Sequence, residues 1–548
     1  MYILGIMPGL NREFFHDSSA CLTKDGKLIA FAQQERFDRI KHSHLFPQDA
    51  INFCLKYAHI ENADIDYIAI QSAPKQFISS AFSSINLGMF NMDNLYGRAL
   101  NFSIFYAHSK VIRSLKKMFP GKKVFEIPHH LSHAASTFYV SGFNKSNILT
   151  IDGRGEREAT AFFTGNGREI EKVWDRSFFD NHSFGICYRI LTDILNLGAY
   201  GEGKTMGLAP YGKPVIDFSD IINYNGSSKK CLANFSKIRS RFSRFRRKNG
   251  DELNDVHKNL AASLQKSLEE TLSKIVEEIT STTNCRTLCL AGGVALNCKT
   301  NGLLIENNLV DNIFIQPDAG DSGTALGAAL QAYAQLGYKP ETKMEHAYWG
   351  PEFSDDDIEK ALKQAGLKYE YFDDIAGVTG ELISKGKIIG WFQGRMEIGP
   401  RALGNRSILA DPKIPENFGK VNRVKGREMW RPLAPSMLED AMHEYFENPY
   451  PSPFMILSFT VKDEKIKEIP AVVHVDKTTR PQTVSKKTNP LYYKLIKSFE
   501  DISSVPVVMN TSFNDKSEPI VCSPHDAINT FNRTSLDCLA IGNFLVKK

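Results

Sequence analysis

Three histidines lie within five residues in the stretch PHHLSHAA, at His129, His130 and His133. His129 and His133 are four residues apart, so on a helix both imidazoles lie on one face and can reach a single metal ion. Two imidazoles bind an ion tightly only when other ligands complete its coordination, and isolated histidine pairs are more often hydrogen-bonded core or surface residues. The spacing alone therefore leaves a metal site and a structural pair as alternatives.

Two carboxylates favour the metal site. Asp152 in ILTIDGRGE and Asp321 in QPDAGDSGTALGAA each follow a buried-strand pattern and precede a glycine-rich turn, a usual place for a carboxylate that faces a cleft. Two nitrogen and two oxygen ligands with open positions suit iron, zinc or manganese. His130 would point elsewhere on the helix, and we assign it no chemistry.

The elements that must carry these residues contain a weak internal repeat. Residues 19–29, SACLTKDGKLI, align without gaps with residues 160–170, TAFFTGNGREI, and each segment has the pattern of strand, tight turn and strand. A short apolar run precedes each segment. Two such units with helices after them predict an α/β protein with a duplicated domain of the actin and sugar-kinase type, in which a nucleotide lies between the halves.

A third landmark is TLCLAGGVALN at residues 287–297, the pattern of a buried strand that runs into a Gly-Gly turn and a helix. Backbone amides at such a turn can approach a phosphate or adenosine closely, because glycine has no side chain. A plain strand-to-helix turn is the alternative interpretation.

Length and composition indicate a globular protein of two or three domains. The chain has 548 residues, 42% of them hydrophobic and 24% charged, and its net charge of +5 is too small to argue for nucleic acid. The nine cysteines are odd in number and include no Cys-x-x-Cys pair, which suits reduced thiols. The start of the sequence resembles no signal peptide and no segment resembles a membrane span, so we expect a cytoplasmic protein with no membrane partner.

The segment 338–357 combines prolines, charge and an Asp-rich helix start, and it predicts a domain boundary. We expect one domain over residues 1–345 and a second α/β or α+β domain over 356–548. Within the first, residues 229–250 are basic and contain no acidic residue. They are either a solvated helical or loop insertion, or an anion-binding surface for a polyphosphate, nucleic acid or acidic glycan.

Several ordered motifs resemble the NodU/CmcH/TobZ family of O-carbamoyltransferases over essentially the whole chain. They are HDSSACLTKDGKLIAFAQQERFDRIKH, HHLSHAASTFY, GEGKTMGLAPYG, LCLAGGVALNCKTNG, GWFQGRMEIGPRALGNRSILADP, WRPLAPS, HVDKTTRPQTV and VMNTSFNDKSEPIVCSP. The resemblance implies an actin-like (ASKHA) N-terminal domain and a YrdC-like C-terminal domain that forms carbamoyl adenylate. Two departures, Arg154 in DGRGE and PGLNREF before His16, concern the acceptor pocket.

The resemblance also implies the reaction. Carbamoyl phosphate and ATP would give carbamoyl adenylate, whose carbamoyl group passes to a hydroxyl of a sugar, glycan or natural product. The expected cofactors are ATP, Mg²⁺ and Fe²⁺ or another divalent transition metal. The family's iron motif falls on His129, His133, Asp152 and Asp321. A homodimer is compatible with this expectation, and nucleic acid is not an expected partner.

Further site residues follow from the motifs that match the family. His16 is the candidate base that takes the acceptor proton, and Lys41 the candidate that holds a phosphate or carbamoyl oxygen. The alternatives are a histidine that caps the second strand and a solvated lysine. The expected nucleotide-binding residues in the first domain are Gly153, Lys204, Gly292 and Gly293.

The second domain supplies arginines, whose planar fork suits phosphate and carboxylate groups. The candidates that bind the adenylate and its precursors are Arg395, Arg401, Arg431 and Arg480, together with Asn510 and Ser512, and Arg406 lies in the same motif as Arg401. Any single arginine could instead be a surface or ion-paired residue, but several in apolar, Gly- and Pro-rich segments favour adenylate formation.

Three other functions compete with this one. A kinase of the actin-like superfamily would not need the C-terminal arginines and would release ADP instead of AMP. A tRNA-modifying (threonyl)carbamoyl transferase would share both chemistries and could use the basic stretch for RNA. A non-enzymatic interaction protein would have no use for four metal ligands at cleft positions.

Overall fold

The structure, a computed structural model, describes residues 1–9, 16–72, 92–225 and 230–548. Part of the PGLNREF segment and residue 229 lie outside this range. The chain is a mixed α/β protein, as expected, and it divides into two units. Unit 1 contains Met1–Asp38 and His42–Met344, and unit 2 contains Arg39–Lys41 and Glu345–Lys548.

Unit 1 is built on two five-stranded sheets and a two-stranded ribbon. Its strands are β1 (Tyr2–Met7), β2 (Ser19–Lys24), β3 (Lys27–Gln33), β4 (Tyr67–Gln71), β5 (Lys123–Ile127), β6 (Lys145–Ile151), β7 (Glu158–Asn166), β8 (Glu169–Ser177), β9 (Ile222–Asn225), β10 (Lys230–Ala233), β11 (Thr287–Ala291) and β12 (Asn312–Ile315). The ribbon pairs β9 with β10.

The two large sheets have the same topology. The first has the order β3-β2-β1-β4-β5 and the second β8-β7-β6-β11-β12. In each, three consecutive strands form an antiparallel meander. A fourth strand pairs in parallel with the first strand of the meander, and a fifth pairs in parallel with the fourth. The aligned segments 19–29 and 160–170 lie in corresponding hairpins, β2–β3 and β7–β8. The sequence repeat therefore corresponds to a repeated sheet topology.

The helices of unit 1 connect and cover these sheets. They are α1 (Glu35–Asp38), α2 (Gln48–Tyr57), α3 (Met92–Met118), α4 (His129–Phe138), α5 (Phe184–Ile194), α6 (Glu202–Leu208), α7 (Phe235–Phe242), α8 (Asp255–Thr283), α9 (Cys298–Glu306) and α10 (Thr324–Gln335).

A close helix pair holds the histidine motif in unit 1. Helix α10 packs against α4, which carries the three histidines, and also against β1. Gly327 of α10 makes this approach possible, because a Cβ there would lie 1.7 Å from the Ser132 carbonyl oxygen of α4. Nearly all residues of both helices are buried. The histidines are therefore set in the packed interior of unit 1.

The basic stretch forms part of β10, helix α7 and the loop that follows, which agrees with a helical insertion. Its cations are partly engaged within unit 1. Lys237 and Arg241 pair with Asp220 at 3.2 and 3.0 Å. Arg247 donates to the backbone carbonyls of Leu195 and Asn196 at 2.7 and 2.6 Å. At least these residues have local structural partners.

Unit 2 is built on one eight-stranded mixed sheet of order β13-β22-β21-β14-β15-β20-β16-β19, with β17 and β18 as a separate pair. Its strands are β13 (Glu370–Tyr371), β14 (Ile389–Phe392), β15 (Arg406–Ala410), β16 (Ala434–Leu438), β17 (Phe459–Thr460), β18 (Thr478–Thr479), β19 (Gln482–Val484), β20 (Val507–Ser512), β21 (Cys538–Ile541) and β22 (Phe544–Lys547). Its helices are α11 (Asp355–Gln364), α12 (Ile375–Ser384), α13 (Glu416–Val424), α14 (Met442–Tyr445), α15 (Pro490–Ser503) and α16 (Pro524–Arg533). Trp391 and Tyr492 are fully buried in its core.

The sequence predicts reduced cysteines and no membrane span. None of the eight cysteines with described side chains forms a disulfide bond with another. Within the described ranges, no helix combines the length and the apolar character needed to cross a membrane.

Candidate functional site

Helix α4 places His129 and His133 in one buried cluster. Pro128 starts the helix and offers no side-chain cap, and the buried Glu156 carboxylate accepts from the His129 backbone N–H at 3.0 and 3.1 Å instead. The two Nε2 atoms lie 3.1 Å apart, one helical turn apart along the chain. Both side chains are completely buried. The predicted helical geometry of the pair is present.

Asp152, after β6, and Asp321, in a short 3₁₀ turn before α10, meet this pair. Asp152 Oδ2 lies 2.9 Å from His129 Nε2 and 3.5 Å from His133 Nε2. Asp321 Oδ1 lies 3.8 and 3.7 Å from the same two nitrogens. One ligand atom from each of the four residues lies within 4.8 Å of the other three. We call these four residues the His/Asp cluster.

The charges of the cluster suit a divalent cation. Burial favours the neutral carboxyl and, with the Asp152 charge nearby, raises the pKa of Asp321. Burial also opposes protonation of His129, but Asp152, Asp321 and Glu156 outweigh it and raise its pKa to about 9. The two buried carboxylates therefore need a compensating positive charge. Protons on the two buried imidazoles, or one metal ion bound by all four groups, can supply it. The donor set fits iron, zinc or manganese.

Gln71, at the end of β4, is an outer partner that the sequence did not reveal. Its side-chain amide lies 2.6 Å from His129 Nδ1, while its Oε1 is buried without a partner in the described part of the chain. When the amide is turned by about 180°, Oε1 takes this position and accepts a hydrogen bond from Nδ1–H. That tautomer puts the lone pair of His129 on Nε2, the nitrogen that lies 2.9 Å from Asp152 Oδ2 and would bind a metal ion.

His130 lies apart from the four ligand atoms. Its Nδ1 lies 2.7 Å from Thr150 Oγ1 and its Nε2 lies 3.1 Å from the Glu158 carbonyl oxygen. Burial and the neighbouring His129 charge lower its pKa to about 3, so it is neutral. Both ring nitrogens are thus occupied by structural hydrogen bonds.

The Gly-Gly turn after β11 positions Asp152. Gly292 has a φ of +94°, and a Cβ there would lie 2.2 Å from the Ile151 carbonyl oxygen. The Gly293 N–H donates to Asp152 Oδ1 at 3.0 Å. Gly153 follows Asp152, and its carbonyl accepts from Ser183 Oγ at 2.7 Å. Lys204 lies partly exposed on α6. Contacts of these residues with a nucleotide stay predictions.

His16 belongs to a second cluster in unit 1. Its Nδ1 lies 2.6 Å from Asp17 Oδ2, and His42 Nδ1 lies 2.8 Å from Asp17 Oδ1. The Tyr200 ring stacks on His42 at 3.9 Å between centroids and meets His16 edge-on at 4.4 Å. Burial lowers the pKa of His16, but Asp17 and the more distant Asp321 outweigh it and raise it to about 9. To act as a base, His16 must first release a proton.

The other predicted catalytic residue, Lys41, belongs to unit 2, where it donates to the Lys516 carbonyl at 2.7 Å. It contributes to a group of cations around Lys425, a residue that no sequence motif indicates. Burial, then the charges of Arg427, Arg431 and Lys41, hold the pKa of Lys425 well below its usual value. Its Nζ donates to both Asn514 oxygens at 2.9 Å.

Arg480 extends this group. Burial and the charges of Arg431 and Arg480 lower the pKa of Arg427 to about 9, although Glu428 opposes the shift. Arg480 Nε is buried without a partner within the described residues. We name Lys41, Lys425, Arg427, Arg431 and Arg480 the cationic cluster. Cations that lie close enough to repel one another are typical of a site that binds a polyanion.

The remaining predicted residues of unit 2 have other surroundings. Arg395 donates to the carbonyls of Trp349 and Gly350 at 2.6 and 3.2 Å, and Arg401 is half-buried. Asn510 donates to Ser436 Oγ at 2.8 Å. Ser512 accepts from Lys425 Nζ at 3.2 Å, so it lies beside the cationic cluster.

Arg406, which shares a motif with Arg401, has a structural role. It is fully buried, and its guanidinium donates to four backbone carbonyls, those of Gln393, Gly394, Asn405 and Pro351. Its sequence context resembles that of an anion-binding arginine, but only the tertiary contacts reveal these partners.

Comparisons with known proteins cover both units. The chain matches the family model "Carbamoyltransferase N-terminus" over residues 6–330 and "Carbamoyltransferase C-terminus" over residues 380–548. The nodulation protein NolNO of Sinorhizobium fredii is 39% identical over 577 residues, which span 100% of this chain and 83% of that protein. The nodulation protein NolO of Bradyrhizobium diazoefficiens is 41% identical over 434 residues, 77% of this chain and 78% of that protein.

Among solved structures, HypF of T. kodakarensis is 11% identical and covers 63% of this chain and 49% of its own, with a TM-score of 0.36, too low to support an argument. The actin-like and YrdC-like assignments therefore stay predictions. The two family models and the relatives identify the family. The chain belongs to the NodU-type carbamoyltransferase family.

Proposed function

We propose that this carbamoyltransferase is an ATP-dependent O-carbamoyltransferase that makes carbamoyl adenylate and transfers its carbamoyl group to a hydroxyl of a sugar, glycan or natural product. The observation that carries the proposal is that a chain of this family contains both a buried His/Asp cluster, in unit 1, and a cationic cluster, in unit 2. The two clusters suit two different steps.

The first step is assigned to the cationic cluster. Water releases phosphate from carbamoyl phosphate to leave carbamate, and a carbamate oxygen then attacks the α-phosphorus of ATP as pyrophosphate departs. Arg431 and Arg480 can hold phosphate oxygens through paired N–H donors. The negative charge of a bound phosphate would favour the protonated form of Lys425, which then adds a buried point charge. Fixed donors of this kind stabilise the charge that develops in the transition state. Carbamoyl adenylate hydrolyses readily, so partial burial of these groups also limits water.

The second step is assigned to unit 1. The acceptor oxygen attacks the carbamoyl carbon, its proton passes to His16, and the bond to the phosphate oxygen breaks to release AMP. His129, His133, Asp152 and Asp321 would hold a divalent metal ion, proposed as Fe²⁺, with Gln71 orienting His129. When bound, that ion supplies a Lewis acid that polarises the adenylate.

The test of this function is a product analysis. The protein is incubated with carbamoyl phosphate, ATP, Mg²⁺, Fe²⁺ and a panel of hydroxylated acceptors that includes an N-acetylglucosamine oligomer and an aminoglycoside. We expect one acceptor to gain the mass of a carbamoyl group, and AMP, pyrophosphate and phosphate to appear with it. ADP without AMP would indicate a kinase and contradict the proposal.

The alternative, a tRNA-modifying (threonyl)carbamoyl transferase, is not favoured, because the similar curated relatives described above are nodulation proteins. A matched incubation with unmodified tRNA checks it. Carbamoylation of tRNA in place of every small acceptor would restore that alternative.

A second prediction concerns the basic stretch as a surface for an anionic acceptor. Arg244 and Lys248 are exposed, whereas Arg247 holds backbone carbonyls, so the double variant Arg244→Ser/Lys248→Ser tests charge without removing these contacts. We expect it to raise the KM for an acidic acceptor about two- to fivefold at low salt, and less at high salt. ATP use without acceptor stays constant. An unchanged KM at low salt would leave the stretch as a solvated insertion.

A further inference from the structure

Asp17 holds two imidazoles on one carboxylate. Oδ2 faces His16 Nδ1 at 2.6 Å, and Oδ1 faces His42 Nδ1 at 2.8 Å. The two chain segments are also joined beside this contact, because the Ser18 N–H donates to the Ser43 carbonyl at 3.0 Å. The Asp17 side chain therefore joins His42 to His16, and the neighbouring backbone hydrogen bond holds the two segments together.

This arrangement determines which nitrogen of His16 can react. The two nearby imidazoles outweigh the effect of burial and hold the pKa of Asp17 far below its usual value, so the group is a carboxylate. A carboxylate only accepts hydrogen bonds, so His16 and His42 must each carry their hydrogen on Nδ1. Once neutral, His16 has its lone pair on Nε2, the nitrogen that remains for the acceptor hydroxyl.

The backbone at this cluster is unusual. Asp17, His42 and Tyr200 have φ values of +64°, +53° and +57°, a region that residues with a Cβ rarely adopt. Asp17 and Tyr200 both contact His42, so three such residues lie together, and strain of this kind gathers at functional sites.

A buried polar chain also supports the backbone of His42. The His42 N–H donates to Glu35 Oε2 at 2.8 Å, and Glu35 pairs with the buried Arg36 at 2.8 Å. Arg36 donates to Gln33 Oε1 at 2.6 Å, and Gln33 donates to Ser322 Oγ at 2.9 Å. Ser322 follows Asp321 of the His/Asp cluster. The backbone of His42 is therefore held by Glu35, and its ring by Asp17.

We propose that His42 is a positioning residue for His16, and that it acts through Asp17, whose second oxygen it occupies. The inference rests on the carbamoyl transfer proposed above, with His16 as base. With its second oxygen engaged by His42, the Asp17 carboxylate cannot rotate away from His16, and His16 keeps its Nε2 directed for proton transfer. The Tyr200 ring packs on both imidazoles.

Two substitutions separate the hydrogen bond from the ring packing. His42→Phe keeps an aromatic ring to stack on Tyr200 but removes the N–H donor. His42→Asn keeps an N–H donor near the position of Nδ1 and tolerates a positive φ, but it removes the ring. His59 is an exposed histidine with the same φ of +53°, so His59→Phe and His59→Asn are the matched controls.

The kinetic test uses the acceptor, from the panel of hydroxylated compounds described above, that the wild-type protein carbamoylates. We expect His42→Phe to lower kcat for transfer about 10- to 100-fold, the usual effect of losing a hydrogen bond to a charged group, with KM within about twofold. His42→Asn should stay within about fivefold of wild type. Carbamoyl adenylate formation and metal content should not change in either. A normal kcat in His42→Phe, or an equal loss in His42→Asn, would overturn the proposal.

A spectroscopic measurement does not depend on the reaction. In protein labelled with ¹⁵N-histidine, the His16 Nδ1–H proton, assigned by its loss in His16→Gln, should resonate far downfield because it faces a carboxylate. It should weaken or move in His42→Phe and persist in His42→Asn. An unchanged His16 signal in His42→Phe would show that His42 does not position it. If the wild-type protein transfers no carbamoyl group, the proposed function fails while this measurement still decides the geometry.

Discussion

His133→Ala is expected to strip the protein of most of its bound metal and to abolish most carbamoyl transfer, while carbamoyl adenylate formation continues. The variant removes one of four ligands whose donor atoms lie within 4.8 Å of one another. Loss of an outer partner alone typically weakens metal binding 10- to 100-fold, so loss of a ligand should weaken it by at least about 100-fold. Adenylate formation persists because it is assigned to the cationic cluster of unit 2.

His130→Ala is the matched control for this prediction. Both ring nitrogens of His130 lie within hydrogen-bonding distance of groups outside the His/Asp cluster, and the ring is buried. Its loss should cost about 2–3 kcal/mol of unfolding free energy and leave metal content per folded molecule unchanged. Plasma emission, thermal denaturation and separate assays of the two steps measure these effects. Equal metal content in wild type and His133→Ala, or a larger loss in His130→Ala, would contradict the ligand assignment.

Arg480→Ala should reduce carbamoyl adenylate formation about 100- to 1,000-fold, as removal of a preorganised donor to a developing charge does. Arg431→Ala should act alike. Neither substitution should lower stability much, because Arg431 and Arg480 repel Arg427, whose pKa their charges help to depress below its usual value. Metal content should survive, since the His/Asp cluster belongs to unit 1. Pyrophosphate exchange into ATP, with carbamoyl phosphate present, measures the step.

Two other arginines of unit 2 define what a structural or neutral effect looks like. Arg406→Ala removes donors from four buried carbonyls, so it should destabilise the fold by about 3–5 kcal/mol. Arg423→Ala, at an exposed position of α13, should change neither the stability of the fold nor the rate of carbamoyl adenylate formation. If Arg480→Ala or Arg431→Ala forms the adenylate at the wild-type rate, adenylate formation does not depend on the cationic cluster as proposed.

Local patterns indicated the four residues of the His/Asp cluster, and the family resemblance implied the same four as metal ligands. The four-residue spacing of His129 and His133 has meaning only on a helix, and α4 supplies that helix. Asp152 directly follows β6, as the pattern of an apolar run before a turn predicted, and Asp321 follows β12 within a short turn. The gapless alignment of two hairpins likewise indicated the repeated topology, because strand-turn-strand patterns are local in sequence.

Partners distant in sequence could not be predicted in this way. Gln71, Glu156 and His42 have ordinary sequence surroundings, and each becomes part of a site only through contacts made across the fold. Lys425 resembles any helix-terminal lysine until its burial beside other cations is known. The motif of Arg406 predicts an anion-binding arginine, but in the tertiary structure its guanidinium donates to backbone carbonyls.

By itself, the sequence determined the α/β class, the duplicated hairpin, the family resemblance and the four residues expected to bind a metal ion, since these depend on residue type, order and short-range period. Only the tertiary structure decided that Asp17 joins His16 to His42, that Gly293 orients Asp152, and that five cations gather in unit 2. The physical reason is that hydrogen bonds and charge interactions depend on distance in space, and separation along the chain does not specify that distance.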